Sequence, residues 1–581
     1  MRKILYFFLI ICLFDNCQVF AQGEIFSTKT LINANTSSGR FRHPFAMVMG
    51  PDDSLWVTEK RGYVIRINRT NGGKTELLDI HSKVRFTTTV SGGKVTGIGQ
   101  DGLLGIALHP ELNKGTGNDY VYLSYCYDSS GIRRMKIVRY TYNRSVPSLT
   151  NELTLLKGLP GSNDHNSGRL VIGNVGTYGT PDYKLFYTIG DQGANQFDNS
   201  CDTIKAQYTP TALQLSSGDL SRYVGKVLRM NLDGSIPADN PVFNGVRSHI
   251  YTIGHRNPQG LAFEKDITGQ LVPQGKLYGS EQGPATDDEI NLIESGKNYG
   301  WPRVAGKLDN GWYRYFSWGA SGSCNSYSGE CSSQQVTTGI QESTFSDPNY
   351  KDPIFDMYPN TPAGGVNCNW LANPTVAPSS IAYYYFPNKI PNWGNSLLIP
   401  TLKTSALLRL KLDAAGTGIV TGTDTIEYFK NSSALNRLRD IVIANDGITF
   451  YLLTDSVGST SGPSSGSDGG VTDRGGIIMY KYTGTVLALN NDVPEYVREA
   501  RLNFKFYPIP TSKILNVECK QNTAKPLRYN IYDAAGKLVL QGTNTHDKFE
   551  INVEGLFKGI YIIKLFDGYN RNVITDKIVV N

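Results

Sequence analysis

The sequence predicts an all-β protein: a six-bladed β-propeller followed by a small C-terminal β-sandwich. Three observations lead to this prediction: a strand pair that recurs six times, turn residues between the strands, and no long amphipathic helical pattern. The 581 residues exceed the roughly 250–300 at which a single core stops growing, so we expect two folding units. The 61 glycines and 34 tyrosines are typical of a chain rich in turns and strands.

Each strand pair consists of two apolar runs separated by a polar break. The pairs lie at residues 55–57 with 63–67, 120–125 with 137–142, 185–189 with 227–232, 277–280 with 290–293, 397–402 with 407–412, and 450–454 with 477–482. Insertions near 195–225 and 305–375 make the spacing irregular, so the blades are counted from the pairs rather than from a period. A sandwich or an irregular all-β fold is the alternative.

The N-terminus has the pattern of a signal peptide. Met1-Arg2-Lys3 precedes an apolar run at 4–14, and Val19-Phe20-Ala21 resembles a signal peptidase site. We expect residues 1–21 to be removed. No later segment has the roughly 20 apolar residues that a transmembrane helix needs, so none is expected.

Charge and cysteine content restrict the partners and the covalent links. The formal net charge of +6 is spread over the chain without a basic run, which argues against a nucleic-acid partner. Six cysteines remain after residue 21, and Cys324 with Cys331 in a Gly/Ser-rich loop is the best disulfide candidate for an exported chain. No cysteine spacing resembles a zinc site.

One polar residue directly follows the first strand of five of the pairs. Repeat symmetry places these residues on the same rim, around an axial pocket. They are Glu59, Asp191, Glu281, Lys403 and Asp455. Singly, each is more often a solvated loop charge, and only their equivalent placement indicates a site.

Three local patterns around this rim have chemical meaning. The carboxylate of Asp164 beside His165 can fix the tautomer of a general base, although a surface histidine is the ordinary alternative. The segment 281–289 has four carboxylates and a bent backbone, which suits a hard cation. Arg437 and Arg439, at strand spacing, point the same way and suit a ligand with several carboxylates, unless they form a surface ion-pair ladder.

Long strings of the chain resemble the soluble quinoprotein glucose dehydrogenases. The most specific is Ser-His-Ile-Tyr-Thr-Ile-Gly-His-Arg-Asn-Pro-Gln-Gly-Leu-Ala-Phe at 248–263. Others lie at 163–172, 187–196, 225–241, 280–293, 298–302, 374–380 and 437–440, in the family's order over roughly residues 25–484. The resemblance implies a dehydrogenase that oxidises the C1 hydroxyl of an aldose to the lactone, with pyrroloquinoline quinone (PQQ) and Ca²⁺ as cofactors.

The resemblance also implies roles for individual residues. His165 would be the general base, with Asp164 beside it and Arg256 at the reactive quinone oxygens. The implied cofactor contacts are Asn257, Thr375, Lys403, Arg437, Arg439 and Gln282. The implied residues of the sugar pocket are Gln100, Asp191, Gln196 and Trp370.

Two kinds of calcium site follow from the same resemblance. The backbone carbonyls of Gly283 and Pro284 would bind the catalytic Ca²⁺, which polarises the quinone carbonyl. A structural calcium pair would be bound by Glu289, Tyr299, Ala305, Lys307, Asp309 and Glu342. Lys307 replaces a tyrosine of the family that supplies a backbone carbonyl, which a lysine supplies equally well.

The sugar pocket departs from the family pattern in two places. Trp370 retains one aromatic platform, but Asn373 stands where the family has another aromatic residue. The family's local disulfide is missing, since only Cys368 lies in this stretch. The preferred sugar is therefore left open, as are the natural soluble electron acceptor and the oligomeric state, for which a homodimer is one option.

The chain divides into a propeller at 22–485, a polar linker at 486–502 and a C-terminal β-domain at 503–581. The last segment has four or five alternating strands and resembles the type-A sorting domain of type IX secretion. It implies the secretion machinery as a partner and a secreted or cell-surface location reached through the periplasm. A carbohydrate-binding or adhesive sandwich is the alternative, but clustered surface aromatic residues are absent from its sequence.

Two other functions are compatible with a propeller of this sequence. One is a non-catalytic module that binds sugar or protein, which the joint presence of His165, Arg256, Lys403 and Arg437 disfavours. The other is a calcium-dependent hydrolase or lactonase, which gives no reason for the Arg/Lys group. Reduction of a dye by aldoses, after PQQ and calcium are added, distinguishes the three.

Overall fold

The computed structural model divides into two compact units, Met1–Leu487 and Ala488–Asn581, a division that falls within the predicted linker. It describes residues 24–33, 41–91, 94–196, 199–318, 338–357, 375–420, 426–429, 437–456, 475–484, 504–519, 525–533, 537–566 and 572–581. The predicted signal peptide, the Cys324–Cys331 pair, Trp370 and the linker lie outside these residues. Cys201 is disulfide-bonded.

The first unit is built from six four-stranded antiparallel sheets, numbered here in chain order. Sheet 1 consists of Pro44–Met49, Leu55–Glu59, Tyr63–Ile67 and Lys74–Asp79. Sheet 2 consists of Leu103–Leu108, Tyr120–Ser129, Ile132–Asn143 and Ser148–Pro160. Sheet 3 consists of Leu170–Asn174, Tyr183–Ile189, Lys226–Asn231 and Ile250–Ile253.

The second half of this unit repeats the arrangement. Sheet 4 consists of Pro258–Phe263, Leu277–Glu281, Asp288–Ile293 and Phe355–Met357. Sheet 5 consists of Ala382–Tyr384, Ser396–Pro400, Leu407–Lys411 and Ile426–Tyr428. Sheet 6 consists of Leu438–Ile443, Thr449–Thr454, Ile477–Tyr482 and Phe26–Ile32.

The six strand pairs predicted from the sequence are confirmed as the second and third strands of these sheets. The first strand of each sheet contacts the first strand of the next, and sheet 6 contacts sheet 1, so the sheets form a closed ring. The N-terminal strand Phe26–Ile32 pairs with Ile477–Tyr482 as the outer strand of sheet 6. The two ends of this unit are thereby joined by hydrogen bonds within one sheet.

A buried arginine links five of the six sheets. Arg169, just before the first strand of sheet 3, donates through Nε to the carbonyl of Gln259 (3.0 Å) and through Nη2 to that of Ser379 (3.1 Å). Its Nη1 donates to Asp440 Oδ2 (2.7 Å), which also accepts from the backbone N–H of Met47 (2.8 Å). These residues start or lie beside the first strands of the sheets, which are called the inner strands from here on. Arg169 therefore fixes the inner strands relative to one another.

Short elements complete the first unit. They are the ribbons Thr88–Ser91 with Lys94–Ile98, Val242–Phe243 with Val246–Arg247, and Arg314–Tyr315 with Ile340–Gln341, the helix Ala212–Ser216 and the 3-10 turn Glu342–Thr344. Thr211 and Gln214 form a capping box at the start of the helix. Within the described ranges, none of the helices has the length and apolar character needed to cross a membrane.

The second unit contains two antiparallel sheets that share one apolar core. One is formed by Phe504–Tyr507, Ile514–Cys519 and Lys548–Asn552. The other is formed, in spatial order, by Leu538–Asn544, Leu527–Tyr532, Gly559–Phe566 and Asn572–Val580. The expectation of four or five strands was therefore too low, since the described residues form seven, several of them too short to show clear alternation.

Candidate active site

The predicted rim residues lie where neighbouring inner strands begin. Glu281 ends the second strand of sheet 4 and pairs with Pro258, and Glu59 pairs in the same way with Pro44. The backbone N–H of Asp455 donates to the carbonyl of Arg437 (2.8 Å). The start of each inner strand and the end of the strand beside it therefore present their polar side chains at the same edge of the sheet.

His165 is buried and fixed by a carboxylate. Its backbone has φ of 44°, a left-handed conformation that is uncommon for a residue with a side chain. Its Nδ1 lies 2.8 Å from Asp191 Oδ1, so Nδ1 has the hydrogen and donates it, which leaves the lone pair on Nε2. Asp191 also accepts from the indole N–H of Trp301 (2.8 Å) and from the backbone of Gly193 (2.9 Å).

This geometry corrects one detail of the sequence interpretation. The partner of Nδ1, which sets the tautomer, is Asp191 and not the adjacent Asp164. Asp164 accepts from the backbone N–H of His165 (3.0 Å), while its carboxylate lies 3.9 Å from His165 Nε2. Neighbours in a loop sequence rarely point their side chains at each other, whereas residues on adjacent strand ends can.

Two glutamines connect His165 with the rest of the pocket. Gln196 Nε2 donates to Asp164 Oδ2 (3.1 Å) and lies 3.3 Å from His165 Nε2. Gln100 Nε2 donates to Asp164 Oδ1 (2.5 Å). Of the two glutamines predicted to line the sugar pocket, Gln196 therefore lies next to Nε2 of His165, and Gln100 binds the other oxygen of Asp164.

Arg256 lies on the other side of Gln196. Its Nη2 donates to Gln196 Oε1 (3.0 Å), and its Nη1 donates to the carbonyl of Gly283 (2.9 Å). The guanidinium also lies over the ring of Trp301, 5.4 Å from the ring centroid. The predicted base and the predicted arginine are thus separated by one amide side chain in a single pocket.

Asn257 and Gln282 are joined by a hydrogen bond. Asn257 Nδ2 donates to Gln282 Oε1 (3.1 Å), and Asn257 Oδ1 accepts from Ser167 (3.0 Å). Gln282 Nε2 donates to the carbonyl of Pro378 (3.0 Å), which connects sheet 4 with the approach to sheet 5.

A cationic group occupies the rim of sheets 5, 6 and 1. Arg437 and Arg439 are buried, which rules out a surface ladder, and both approach Asp455. Burial would raise the pKa of Asp455, but Arg439 and Arg437 hold it well below its usual range. Desolvation lowers the pKa of Arg437 to about 10 and that of Lys60 nearby to about 8. Among the described residues, the guanidiniums of Arg437 and Arg439 thus share the carboxylate of Asp455.

Lys403 lies at the same rim. Its Nζ donates to Thr375 Oγ1 (2.8 Å), so these two predicted cofactor residues are brought together. Desolvation lowers the pKa of Lys403, partly offset by the carboxylate of Asp288. Asp288 in turn accepts from the backbone N–H groups of Val376 (2.7 Å) and Ala377 (2.9 Å) and thereby fixes the loop that holds Thr375.

Buried carboxylates cluster beside sheet 4. Burial raises the pKa of Glu342 to about 7 and that of Asp287 to about 6, with repulsion from Asp309 adding to both. Burial and then Asp287 raise the pKa of Asp356 to about 8, and burial with repulsion from Glu281 raises that of Glu289. In the part of the chain that the structure describes, none of the four forms an ion pair with a lysine or arginine.

Backbone N–H groups donate hydrogen bonds to two of these carboxylates. Glu289 Oε1 accepts from the N–H of Gly306 (2.9 Å), and Glu342 accepts from those of Ala305 (3.0 Å) and Asn310 (3.0 Å). No three His, Cys, Asp or Glu side chains among the described residues converge as a ready metal site. Backbone carbonyls would therefore have to supply further ligands, as the sequence resemblance implies for Lys307.

Two participants in these networks were missed from the sequence. Trp301 holds Asp191 and stacks with Arg256, yet it is 110 residues from Asp191 in the chain, and no local signal indicates the contact. Asp356 belongs to the carboxylate cluster through the fourth strand of sheet 4, which was not recognised as a strand. Both are found only once the sheets are assembled.

The fold and the site define a class: an enzyme with a buried, carboxylate-oriented histidine at the centre of a ring of sheets. Residues 41–313 and 345–461 match the family described as Glucose / Sorbosone dehydrogenase. The chain belongs to this family and is therefore a dehydrogenase. Residues 505–581 match the Secretion system C-terminal sorting domain.

Relatives of known name agree with this assignment. Quinoprotein glucose dehydrogenase B of Acinetobacter calcoaceticus is 39% identical over 481 residues, covering 80% of this chain and 92% of the relative. Aldose sugar dehydrogenase YliI of Escherichia coli is 24% identical over 445 residues, 75% of this chain and 94% of the relative. The apo crystal structure of the soluble aldose sugar dehydrogenase of Escherichia coli shares the fold, with 22% identity, a TM-score of 0.51 and coverage of 79% of this chain and 100% of that chain.

Proposed function

We propose that the protein is a PQQ- and calcium-dependent aldose dehydrogenase that oxidises the anomeric hydroxyl of a sugar to the lactone. The observation that supports it most is His165, which is buried with Asp191 on Nδ1 and with Nε2 beside Gln196, the amide that also binds Arg256. The 39% identity to a quinoprotein glucose dehydrogenase supports the same reaction.

His165 acts as the general base. Its Nε2 takes the proton of the anomeric hydroxyl, and Asp191 stabilises the imidazolium that forms because its carboxylate lies 2.8 Å from Nδ1. Gln196 and Gln100 orient the sugar from either side of Asp164. When bound, PQQ supplies the acceptor for the hydride of the anomeric carbon.

Arg256 stabilises negative charge that develops during the reaction. Its guanidinium is already aimed by Gln196, Gly283 and Trp301, so little reorganisation is needed in the transition state. Asp164 keeps both glutamines in place through its two carboxylate oxygens.

The cationic group holds the cofactor. PQQ has several carboxylates, and the buried guanidinium groups of this rim, with the ammonium group of Lys403, fit such a ligand. Arg437, Arg439 and Lys403 would bind these carboxylates. Thr375, Asn257 and Gln282 would contact the remaining polar edges.

Calcium fits two places. The carbonyls of Gly283 and Pro284 would bind the catalytic ion beside Arg256, and the bent segment is held by Asp288, which accepts from the N–H of Gly283 (2.9 Å). The buried carboxylates Glu289 and Glu342, with Asp309, would bind the structural ions. Burial, with repulsion between neighbouring acids, raises the pKa values of Glu289 and Glu342, and a hard divalent ion would stabilise their charged forms.

We infer further that the six sheets are the blades of a six-bladed propeller and that the C-terminal sheets form a sandwich.

The match of residues 505–581 to a sorting domain supports export by type IX secretion, to the cell surface or the medium, after signal-peptide removal. The partners are then an aldose, a soluble electron acceptor and the secretion machinery. A homodimer stays a prediction.

Reconstitution tests the proposed function. Metal-free, cofactor-free protein should reduce an acceptor dye with aldoses only after both PQQ and Ca²⁺ are added, and the product should be the lactone. Each cofactor alone serves as the control. If lactone formation does not depend on PQQ, the proposal is wrong.

A further inference from the structure

We propose that Glu281 is a positioning residue that sets the place of the Arg256 guanidinium, an inference that rests on the proposed function. From the sequence, Glu281 was predicted as one of five rim charges and as the first carboxylate of the segment 281–289. The structure gives it a defined set of partners.

One buried carboxylate holds three consecutive residues. Glu281 Oε1 accepts from the backbone N–H of Arg256 and from that of Asn257 (3.2 Å). Its Oε2 accepts from His255 Nδ1 (2.8 Å). The side chain of Glu281 is 5% exposed, so water cannot replace these bonds readily.

The far side of His255 is also fixed. Its Nε2 lies 2.8 Å from Thr252 Oγ1, and its ring stacks on Tyr299 with centroids 4.7 Å apart. His255 is completely buried. Moving the carboxylate of Glu281 would therefore break its hydrogen bond to His255, whose ring is itself held by Thr252 and Tyr299.

The segment 254–257 needs such an anchor because it crosses between sheets. It leaves the last strand of sheet 3 at Ile253 and enters sheet 4 at Pro258, and on the way the N–H groups of Arg256 and Asn257 both donate to Glu281 Oε1. Glu281, at the end of the adjacent strand, satisfies both. An anchored backbone limits where the guanidinium can lie, and misplacement by about 1 Å can cost about 10²-fold in rate.

Three substitutions test this role in the full-length protein with PQQ and Ca²⁺. Glu281→Ala should lower kcat by about 10²-fold with KM changed less than about threefold. Glu281→Asp withdraws the carboxylate by about 1.5 Å and should act in the same direction if the alanine variant does not fold. Glu281→Gln keeps an oxygen for both N–H groups, and His255 can change tautomer, so kcat should stay within about tenfold of the parent.

A double-mutant cycle separates positioning from general structural damage. Glu281→Ala lowers kcat by some factor in the parent. In an Arg256→Ala background, the factor by which Glu281→Ala lowers kcat should be less than a third of that. The control is Glu152→Ala, which removes a carboxylate that accepts from Tyr125 (3.0 Å) and Tyr140 (2.5 Å) far along sheet 2. It should lower thermal stability without changing kcat. A loss of equal size in both backgrounds overturns the proposal.

Hydrogen exchange gives a readout that does not depend on activity. In the cofactor-free protein, the amides of a peptide spanning 254–258 should exchange at least about 10²-fold faster in Glu281→Ala or Glu281→Asp than in the parent or Glu281→Gln. Unchanged exchange overturns the positioning role. Absence of aldose oxidation in the parent overturns the proposed function instead, while the exchange result still decides this inference.

Discussion

At the residue scale, the pocket is organised by contacts between side chains that are far apart in the chain. His165 is oriented by Asp191, 26 residues later, and Asp191 is held by Trp301. Each residue type was visible in the sequence, but His165 and Asp191 meet only when the loop before sheet 3 and the loop after its second strand are brought together. The cationic group likewise combines residues of sheets 1, 5 and 6.

The cofactor role of this group predicts the behaviour of Arg437→Ala. Loss of a charge-assisted contact should weaken PQQ binding by about 2 kcal/mol or more, and saturating PQQ should restore much of the activity. Arg85→Ala, which removes an exposed pair with Asp128, is the matched control. Titration of PQQ into calcium-loaded protein measures both, and superimposable curves for Arg437→Ala and the parent would contradict the assignment.

At the element scale, the sequence predicted some strands well and others poorly. The second and third strands of each sheet were visible because an apolar run, a polar break and a second run follow closely. Inner strands such as Pro258–Phe263 are buried on both faces and have no alternation to recognise. Phe355–Met357 follows a long insertion, so nothing local indicates that it completes sheet 4 and brings Asp356 to the carboxylate cluster.

The carboxylate cluster predicts how metal removal and pH act together. Glu342 and Asp356 have folded-state pKa values of about 7 and about 8, above their usual 4.5 and 3.8. Their contribution to stability is complete below those usual values and is lost as the pH rises through 7 and 8. Chelated protein should therefore melt at least about 3 °C lower at pH 8 than at pH 5.5, and Ca²⁺ should remove most of this difference.

Calorimetry of the chelated and calcium-loaded protein at both pH values measures the effect. The variant Glu342→Gln with Asp356→Asn is the control, since it lacks two of the four titrating acids and should show a smaller change between the two pH values than the parent. A chelated parent that melts at the same temperature at both pH values would show that burial and mutual repulsion do not raise the pKa values of these acids.

At the scale of the whole first unit, stability depends on closing the ring. Phe26–Ile32 joins sheet 6 through its pairing with Ile477–Tyr482, and Arg169 ties the inner strands together at the centre. The closed ring brings the first strands of neighbouring sheets into contact. The number of strand pairs predicted the six sheets, but the central arginine was recognised only as part of a loop.

Arg169→Met should destabilise the protein strongly. The substitution leaves the buried carboxylate of Asp440 without its cation, which costs about 3–5 kcal/mol. Arg66→Met, which breaks a partly exposed pair with Asp52, should cost about 1 kcal/mol or less. Urea unfolding of the three proteins compares them, and equal midpoints for Arg169→Met and the parent would contradict the central role of this contact.

The central claim is that His165 removes the proton from the sugar in a PQQ-containing site. The most direct measurement compares His165→Gln with the parent, both loaded with Ca²⁺, first by PQQ titration and then by aldose turnover. The cofactor titration curves should coincide, and turnover should be at least about 10²-fold lower in the variant, because only the base is lost. Unchanged turnover, with PQQ bound in both proteins, would contradict it.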